Sequence, residues 1–566
     1  MGDRRTLLLV LLALAAVPYF VNLGATSIID ANEAFYAETP REMIESGDYI
    51  SPTFNYEPRL NKPPLSYWVV AAFYHAAGVS LGAARVPIAL GAMVMLVTAG
   101  LLGRHAFSAR AGLIAAVTLA ATPRMLLFAR RIIIDVYTAM FLGLTLLAFL
   151  MAELQPERRR RWLMAMYVAV GLGVLTKGPV AVVVPALVFL VYLGMTRQFA
   201  AIRRMMLPAG VLIAAAIVVP YYAALYAQEG WDAIASFLFR ENLARYTEGV
   251  GAPDRGPLFY LPVVFTDLYF PWSLVLPVAL ALVPWTARAR AGGGGGAGPS
   301  AAASGRPRAR LLLGLWIVVI VVFFSLSNGQ QDLYVLPFIV AGAALVGGAI
   351  DGWLARTLSP RLDRAVTWSV AATAAILALI GAAAVWYSGG IGATFPLAGV
   401  LPSGLLLAGG AAAALGALAR RARGQAAALV LSAMIAVQWV IVLRALPDFE
   451  RYKPIPHAAQ VVLDLEARPS AVGTYKIAAP SLVFYLRRHV DEMFTEEELG
   501  RFFATHLDGV CVMPAGEYER VRTTIAVPTR VITRGPRFDV RLSDILSRNP
   551  LPEVVLVAAD RPGPER

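Results

Sequence analysis

Asp30-Ala31-Asn32-Glu33 and Asn61-Lys62-Pro63-Pro64-Leu65-Ser66-Tyr67-Trp68 lie in one polar loop between the first two hydrophobic segments of the chain. Loops between hydrophobic helices are usually short, so a loop of about forty residues that carries acids, a lysine and aromatic rings indicates a functional segment. The loop brings these groups to a membrane surface, where a charged, lipid-linked substrate is accessible. The sequence therefore predicts a membrane protein whose functional site lies at one membrane face.

The rest of the chain predicts an α-helical, multi-pass membrane protein. Of the 566 residues, 58% are hydrophobic. Apolar runs recur at the length of about 18–20 residues that crosses roughly 30 Å of hydrocarbon. We predict about thirteen transmembrane helices and count 66–84 with 86–102 as one broken span. The predicted spans are 7–23, 66–84 with 86–102, 111–123, 132–151, 162–176, 179–195, 206–226, 258–284, 311–327, 333–350, 366–387, 398–419 and 426–444. No Ala-x-Ala cleavage site follows the first run, so we expect it to remain as the first span.

The loops that alternate along these spans differ in charge. The N-terminus and every second loop together hold 22 Lys and Arg against five Asp and Glu. By the positive-inside rule these segments are cytoplasmic, which puts residues 445–566 outside the cytoplasm. We therefore predict a cytoplasmic N-terminus and a C-terminal domain outside the cytoplasm. The net charge of +13 follows from this topology, so a nucleic-acid partner is not predicted.

Two domains are predicted: a transmembrane catalytic domain over 1–446 with periplasmic loops 24–65 and 227–257, and a small α/β domain over 447–566. In the second domain, short β-rich runs alternate with helical patterns. The predicted strands are 471–477, 509–513, 530–533 and 554–557, and the predicted helices are 457–467, 496–504 and 517–523. The glycine-rich stretch 291–305 reads as a flexible linker. Cys511 is the only cysteine, which excludes an intrachain disulfide and a metal site built from cysteines.

Asp30, Glu33 and Lys62 are the first candidates for a chemical role. Paired carboxylates at a low-dielectric boundary can act as general bases or bind a cation. The alternative is that Asp30 or Asn32 caps a helix over 32–46. Lys62 precedes two prolines that hold the chain extended, which makes it a suitable point charge for a phosphate. The alternative for Lys62 is a lysine that only extends towards the interface.

Two further charged positions lie at predicted helix ends. Asp135 follows Arg130 and Arg131 at an external turn, where two arginines break the positive-inside trend. We expect an anionic group to compensate the two arginines. The three candidates are Asp135 itself, a lipid headgroup and a phosphorylated substrate. Lys177 lies in a helix–helix turn. The first interpretation is that it is part of a tight turn, and the second is that it contacts an anion.

These segments, in this order, resemble the polyprenyl-phosphate-sugar-dependent glycosyltransferases of the GT-C class, in the branch of protein O-mannosyltransferases and lipid A aminoarabinose transferases. The resemblance covers about residues 1–350. The matching segments are Asn32-Glu33-Ala34-Phe35-Tyr36-Ala37-Glu38, Arg41-Glu42-Met43, Asn61-Lys62-Pro63-Pro64-Leu65-Ser66-Tyr67-Trp68, Ala84-Arg85-Val86-Pro87, Asp135, Thr176-Lys177-Gly178-Pro179, Arg240-Glu241-Asn242-Leu243-Ala244-Arg245-Tyr246, Gly256-Pro257-Leu258-Phe259-Tyr260 and Tyr334-Val335-Leu336-Pro337.

The chain departs from the family pattern at the position of the usual catalytic aspartate. Asn32 stands there, with Asp30 two residues earlier, and asparagine cannot act as a base at neutral pH. Either Asp30 or Glu33 takes the role, or the acceptor is already ionised, as a phosphate is. A non-catalytic member of the family is the remaining alternative. Three further departures are Phe35 in place of an arginine, Asn61 in place of an acid and Gln330 in place of a lysine.

The resemblance implies an inverting glycosyltransferase of the bacterial inner membrane, with a periplasmic C-terminal domain. It would move a sugar from an undecaprenyl-phosphate donor to a lipid A-like envelope lipid on the periplasmic face. The alternatives are transfer to protein and a non-enzymatic transporter or sensor of lipid-linked sugar. The implied catalytic residues are Asp30, Glu33 and Asp135, and the implied donor-phosphate ligands are Lys62, Arg85, Arg130 and Arg131. The implied substrate-cavity residues are Asn32, Asn61, Tyr67, Lys177, Glu241, Asn242, Arg245 and Tyr334. We expect a monomer and no certain cofactor. A divalent metal is weakly supported because the 227–257 loop has no histidine.

The predicted topology can be tested with a reporter fusion. Alkaline phosphatase fused after Arg451 should be highly active, because the charge bias places that residue outside the cytoplasm. The measurement is phosphatase activity in whole cells at matched expression, with a fusion in the 104–110 loop as the inactive control. An inactive fusion after Arg451 would overturn the orientation.

Overall fold

The structure is a computed structural model that describes residues 2–28, 31–249, 253–285, 301–390, 395–537 and 550–560. Asp30 and most of the predicted linker lie outside these ranges, although residues 301–305 of the predicted linker are helical. Among the described residues, eight helices are long and apolar enough to cross a membrane, and a pair bent by 70° would be a ninth. The chain is thus a multi-pass membrane protein, while the count of thirteen spans stays a prediction.

The α-helices are α1 (Gly2–Ala16), α2 (Ala31–Ser46), α3 (Leu65–Ala77), α4 (Leu81–Ala106), α5 (Ala109–Ala120), α6 (Pro123–Ala129), α7 (Ile134–Leu154), α8 (Arg159–Lys177), α9 (Val180–Met195), α10 (Leu207–Ala235), α11 (Arg245–Thr247), α12 (Tyr260–Pro262), α13 (Leu276–Leu280), α14 (Ala301–Ser325), α15 (Ile339–Ala355), α16 (Pro360–Gly389), α17 (Val400–Ala419), α18 (Arg423–Val440), α19 (Leu446–Phe449), α20 (Pro454–Leu463), α21 (Ser481–Leu486), α22 (Glu496–Thr505) and α23 (Ala515–Val521). The strands are β1 (Thr53–Phe54), β2 (Glu57–Pro58), β3 (Val472–Tyr475), β4 (Asp491–Met493), β5 (Val510–Pro514), β6 (Thr529–Pro536) and β7 (Glu553–Ala559). A π-helix over Ser236–Ala244 joins α10 to α11, and a 3-10 helix over Asp332–Phe338 precedes α15.

Two predicted spans differ in the structure. The broken span 66–84 with 86–102 divides earlier, at Gly78–Ser80, where Gly78 has φ +80° and Ser80 caps α4. Because α3 has only 13 residues, it reaches about 20 Å and α4 is the membrane-crossing helix of the pair. The predicted span 258–284 is instead a series of short helical pieces, of which α12 and α13 are two. Prolines in that segment remove backbone donors and interrupt the helix.

The innermost helix of the membrane part is α15. Its core-facing glycine allows α5 to approach closely, because a Cβ at Gly347 would lie 2.5 Å from the carbonyl oxygen of Ala111. Small residues at such contacts let helix backbones meet in a membrane, where apolar side chains gain little from leaving lipid. The close contact of α5 and α15 forms the rigid centre on which the site rests.

The C-terminal part contains a five-stranded mixed sheet in the order β4-β3-β5-β7-β6. β3 is parallel to β4 and β5, whereas β7 is antiparallel to β5 and β6. All four predicted strands and all three predicted helices are present, and β4 and α21 are additional. The sequence did not predict β4 because it has only three residues and is charged.

A small hairpin connects the first polar loop to this sheet domain. β1 and β2 pair across Asn55 and Tyr56, which both have positive φ, as a tight two-residue turn requires. The Asn55 side chain donates to the carbonyl oxygen of Val490 and accepts from its N–H, each at 2.9 Å. The loop that carries the predicted site is therefore fixed against the sheet domain.

Candidate active site

The first polar loop is anchored by a buried ion pair. Arg85 Nε donates to Glu33 Oε1 at 2.8 Å, and both side chains are fully buried. The remaining guanidinium nitrogens of Arg85 donate to the carbonyl oxygens of Leu23, Thr26 and Ser27 at 2.6–3.0 Å. A buried charge is tolerated only when it is paired and hydrogen-bonded, as here. In this structure Glu33 and Arg85 hold the loop, and neither faces an open site.

Arg130 has a similar structural position. Its guanidinium donates to the carbonyl oxygens of Pro18 and Val21 at 2.6 Å each, and the residue is 4% exposed. These contacts tie α6 to the end of the first predicted span. Of the three compensating groups that the sequence left open, Asp135 pairs with Lys177, and a lipid headgroup or a phosphorylated substrate stays a prediction. The charge of Arg130 is compensated by the partial negative charges of the two carbonyl oxygens that it binds.

Lys62 lies where three elements meet. Its ammonium group is 3.2 Å from Glu241 Oε2, on the π-helix, and 3.0 Å from the carbonyl oxygen of Asn61. The same Glu241 oxygen accepts from Arg245 at 3.1 Å. One carboxylate oxygen thus lies between two cations, and the side chains of Lys62 and Glu241 are each only 18% exposed.

A second ion pair lies beside the first. Asp135, in the first turn of α7, pairs with Lys177, the last residue of α8. The Lys177 ammonium group also lies 4.9 Å from the centre of the Tyr334 ring, a cation–π contact. Gly178 has φ +88°, and a Cβ there would lie 2.8 Å from the Phe237 ring. Glycine at this turn therefore lets the π-helix approach the end of α8 and places Glu241 near Lys177.

Aromatic side chains form the wall of this cluster. The Tyr36 ring stacks on the buried Tyr67 ring with 5.4 Å between centres. The guanidinium carbon of Arg59 lies 3.6 Å from the centre of the Phe35 ring, on the neighbouring position of α2. The Tyr67 hydroxyl interacts with the Arg59 guanidinium, which opposes the rise in its pKa that burial causes. The buried Asn61 Oδ1 has no hydrogen-bond partner among the described residues. Such a group is costly to bury, so it points to a ligand or to water in the site.

The charges of the cluster act on one another. The pKa of Lys62 is lowered to about 8, chiefly by burial and also by Arg245 and Lys177, while Glu241 acts in the opposite direction. Burial also raises the pKa of the Tyr36 hydroxyl, with Asp135 acting in the same direction and Arg59 and Arg245 against it. Because Arg245 and Lys177 both act on Lys62, the three cations share one electrostatic field, which favours an anion.

The structure brings together six predicted cavity or catalytic residues around Lys62. They are Asn61, Tyr67, Asp135, Lys177, Glu241 and Arg245, with Tyr334 at the edge. Asn242 contributes indirectly, since its side chain donates to the carbonyl oxygen of Phe237 at 2.7 Å. Asn32 is exposed, Arg131 is partly exposed, and Asp30 lies outside the described residues.

Tyr36 and Arg59 belong to the cluster and were not among the predicted site residues. The signal was present in the sequence, because Arg59 lies three positions before Lys62 and Tyr36 lies within the family-like segment of the first loop. Gln330, which replaces the family lysine, lies elsewhere: its side-chain oxygen accepts from the N–H of Arg255 at 3.3 Å. No group of three or more His, Cys, Asp or Glu side chains suited to a metal occurs within the described part of the chain.

Known sequences match the same part of the chain. The family model described as dolichyl-phosphate-mannose-protein mannosyltransferase matches residues 61–223. An undecaprenyl phosphate-alpha-4-amino-4-deoxy-L-arabinose arabinosyl transferase of Pseudomonas fluorescens (strain Pf0-1) is 26% identical over 340 residues, 59% of this chain and 56% of the relative. A protein of unassigned function from Aquifex aeolicus (strain VF5) is 29% identical over 263 residues, 46% of this chain and 51% of the relative. The chain thus spans only about half the length of these relatives.

Two solved structures share the whole fold. The crystal structure of ArnT from Cupriavidus metallidurans bound to undecaprenyl phosphate superimposes with a TM-score of 0.75 at 24% identity and covers 97% of each chain. Its apo form gives 0.76 at 23% identity over 98% of each chain. The predicted resemblance to the GT-C glycosyltransferases is confirmed. The match in fold extends into the C-terminal domain, well beyond residue 350.

The buried pair of Glu33 and Arg85 yields a stability prediction. Glu33→Ala should destabilise the protein by about 3–5 kcal/mol, because it leaves the Arg85 charge buried without its partner. Glu45→Ala, at the exposed end of the same helix, removes a surface ion pair and should cost less than about 1 kcal/mol. Thermal unfolding of both purified variants measures the difference. Normal stability with lost activity in Glu33→Ala would instead assign Glu33 a catalytic role.

Proposed function

We propose that this chain is a bacterial inner-membrane glycosyltransferase. It takes a sugar from an undecaprenyl-phosphate-linked donor on the periplasmic face and transfers it, with inversion, to an envelope lipid of the lipid A type. The donor class is supported by the names of the Pseudomonas relatives and by the undecaprenyl phosphate in one structural neighbour. The N-terminus is then cytoplasmic and the sheet domain periplasmic, as the charge bias of the loops predicts.

The observation that carries the proposal is the convergence of three cations at the ends of membrane helices. Lys62, Lys177 and Arg245 come from three separate elements, and within the described ranges they pair with two carboxylates, Asp135 and Glu241. With Arg59 beside them, the described cations outnumber these carboxylates, which leaves positive charge for an anionic ligand. Lys62 is poorly solvated, so a phosphate replaces lost hydration better than a neutral group would. The head of a polyprenyl-phosphate donor fits this requirement, since its chain can remain in lipid.

The reaction that fits this arrangement is a direct displacement. The acceptor oxygen attacks the anomeric carbon while the bond from that carbon to the phosphate oxygen breaks. The polyprenyl phosphate leaves with the bonding electron pair, and Lys62 and Arg245 stabilise the negative charge that develops on it. Glu241 holds both cations in place before the donor binds.

A carboxylate on the acceptor side receives the proton of an acceptor hydroxyl. Asp135 is the predicted acid that lies in the cluster, and Asp30 is the acid that the sequence places beside the family position. An acceptor phosphate would already be ionised, and the step would then need no base. Glu33 is engaged with Arg85 and is a positioning residue in this scheme.

Transfer to protein is the second candidate. The family model that matches residues 61–223 is described as a protein mannosyltransferase, and this favours a Ser or Thr acceptor. Incubating the purified protein with labelled donor and with each acceptor class separates the two candidates, because the label appears in the lipid or in the protein fraction.

Lys62→Ala tests the donor site. Loss of a charged contact to a developing phosphate should cost about 2–4 kcal/mol, or roughly 10²–10³ in transfer rate. The fold should survive because Arg245 still pairs with Glu241. The matched control is Lys476→Ala, which removes a lysine of the sheet domain that pairs with Glu517. Near-normal turnover in Lys62→Ala would reduce this lysine to an interfacial residue.

The pH dependence of the same site gives a further check on Lys62. Because its pKa is lowered to about 8, Lys62 is charged below that pH and loses its proton as the pH rises through it. Donor affinity in the wild type should therefore fall above about pH 8. In Lys62→Arg the charge persists, so the fall should disappear. An unchanged pH profile in Lys62→Arg would contradict the assignment.

Neutralising the acids one at a time identifies the acceptor-side group. We expect Asp30→Asn to lower transfer by about 10²–10⁴ while donor binding stays normal, as for the loss of a general base. Asn32→Asp serves as the companion variant, because it restores an acid at the family position. Retained activity in Asp30→Asn, with loss in Asp135→Asn, would move the role to Asp135. Activity in both would indicate an acceptor that is already ionised.

A further inference from the structure

A large polar cavity lies between the first loop and the sheet domain, beside the cation cluster and separate from it. Its volume is about 840 Å³, which falls within the roughly 300–1,000 Å³ of small-molecule sites. One wall is formed by Phe35 of α2 and by the hairpin of β1 and β2. The opposite wall is formed by β4 and α22 of the sheet domain. The Asn55–Val490 hydrogen bonds hold the two walls together.

The lining combines aromatic faces with hydrogen-bonding side chains. Phe35, Phe54 and Phe502 supply apolar ring surface, and the Phe35 and Phe54 rings pack edge to face at 4.7 Å. The charged side chains are Glu57, Arg59, Asp491, Glu492, Glu498 and Arg501, with His489 and His506 beside them. A ligand ring with apolar C–H faces and several hydroxyl groups can use such a lining. Its faces pack on the aromatic side chains, and its hydroxyl groups donate hydrogen bonds to the carboxylates.

Two of these carboxylates are available to a ligand. Glu498 is engaged in capping α22, and Asp491 lies 3.4 Å from His489. The side-chain carboxylates of Glu57 and Glu492 make no ion pair or hydrogen bond with any residue that the structure describes, and both residues are exposed. Four carboxylates against two guanidinium groups disfavour a multiply charged anion in this cavity. The cavity therefore differs in preference from the cation cluster.

The cavity and the cluster share a boundary. Phe35 lines the cavity, whereas the adjacent Tyr36 stacks on Tyr67 within the cluster. Arg59 lines the cavity, packs on Phe35 and acts electrostatically on Tyr36. Its Nε is buried and has no hydrogen-bond partner in the described ranges. Arg59 therefore lies between a ligand in the cavity and the residues of the cation cluster.

We propose that this cavity binds an uncharged sugar ring of the acceptor, next to the group that receives the transferred sugar. This inference rests on the proposed glycosyltransferase function and names the part of the acceptor that the sheet domain recognises. Glu57 and Glu492 accept hydrogen bonds from its hydroxyls, and the phenylalanine rings pack on its face. Arg59 lies between this ring and the donor phosphate.

The test measures binding of a neutral disaccharide, N,N′-diacetylchitobiose, to the full-length protein in lipid nanodiscs by saturation-transfer NMR. Thr505→Trp places a bulky side chain in the cavity, and Glu57→Gln/Glu492→Gln removes two acceptors without loss of volume. Each should weaken binding about five- to tenfold. Thr505→Trp fills part of the cavity, and each Glu→Gln change leaves one neutral acceptor oxygen in place of two charged ones, which weakens or removes a hydrogen bond. Glu497→Gln, on the same helix and outside the lining, is the matched control and should bind as the wild type does.

The same variants are then assayed for transfer. The KM for the acceptor should rise by a similar factor, while kcat and the KM for the donor change less than about twofold. Three results would each overturn the proposal. They are no binding of the disaccharide to the wild type, unchanged binding in Thr505→Trp and Glu57→Gln/Glu492→Gln, and stronger binding of a phosphorylated disaccharide than of the neutral one. The binding arm needs no turnover, so wild-type protein that binds the disaccharide and transfers no sugar would overturn the proposed function alone.

Discussion

The candidate site depends on one buried ion pair, that of Glu33 and Arg85. The site loop leaves the membrane, crosses a polar region and returns, and its residues Ala34, Ala37 and Met43 pack into the core of the membrane part. To this packing Arg85 adds contacts with one buried carboxylate and three backbone carbonyls. In a low dielectric such contacts are strong when complete and costly when one is missing. The loop is therefore expected to fold in an all-or-none manner. This suits a site whose cations must be held away from the hydrocarbon of the membrane.

A second constraint is the balance of charge around Lys62. Without a ligand, Glu241 and Asp135 keep the cations from repelling one another. The two carboxylates therefore stabilise the protein when no ligand is bound, in addition to any role in the reaction. A cluster with too few acids would unfold, and one with too many would exclude a phosphate. The remaining positive charge fits the reversible binding of an anion, as the proposed lipid-linked donor requires.

Much of the fold follows from the sequence, because hydrophobic periodicity and charge bias are local properties. The strands and helices of the sheet domain were predicted on this basis, and so was the convergence of Lys62 with the Glu241 segment, through the family resemblance. The roles of Arg85 and Arg130 could not be predicted in the same way. Their partners are mainly backbone carbonyls of residues 18–27, and every residue type offers a carbonyl. Arg59 was missed because its position depends on the hairpin turn and on the sheet domain behind it.

The joint between the hairpin and the sheet domain has a consequence for divergence of the sequence. The Asn55 side chain contacts the N–H and carbonyl groups of Val490, and the Tyr56 hydroxyl donates to the carbonyl oxygen of Arg487 at 3.2 Å. The His489 ring adds a side-chain contact, 3.1 Å from the Asn55 carbonyl oxygen. Because the other contacts use only the backbone on the domain side, most side-chain substitutions there leave the joint intact. The cavity wall can thus change its chemistry over evolutionary time while its distance to the membrane cluster stays constant. Acceptor preference and donor preference are then free to evolve separately on one scaffold.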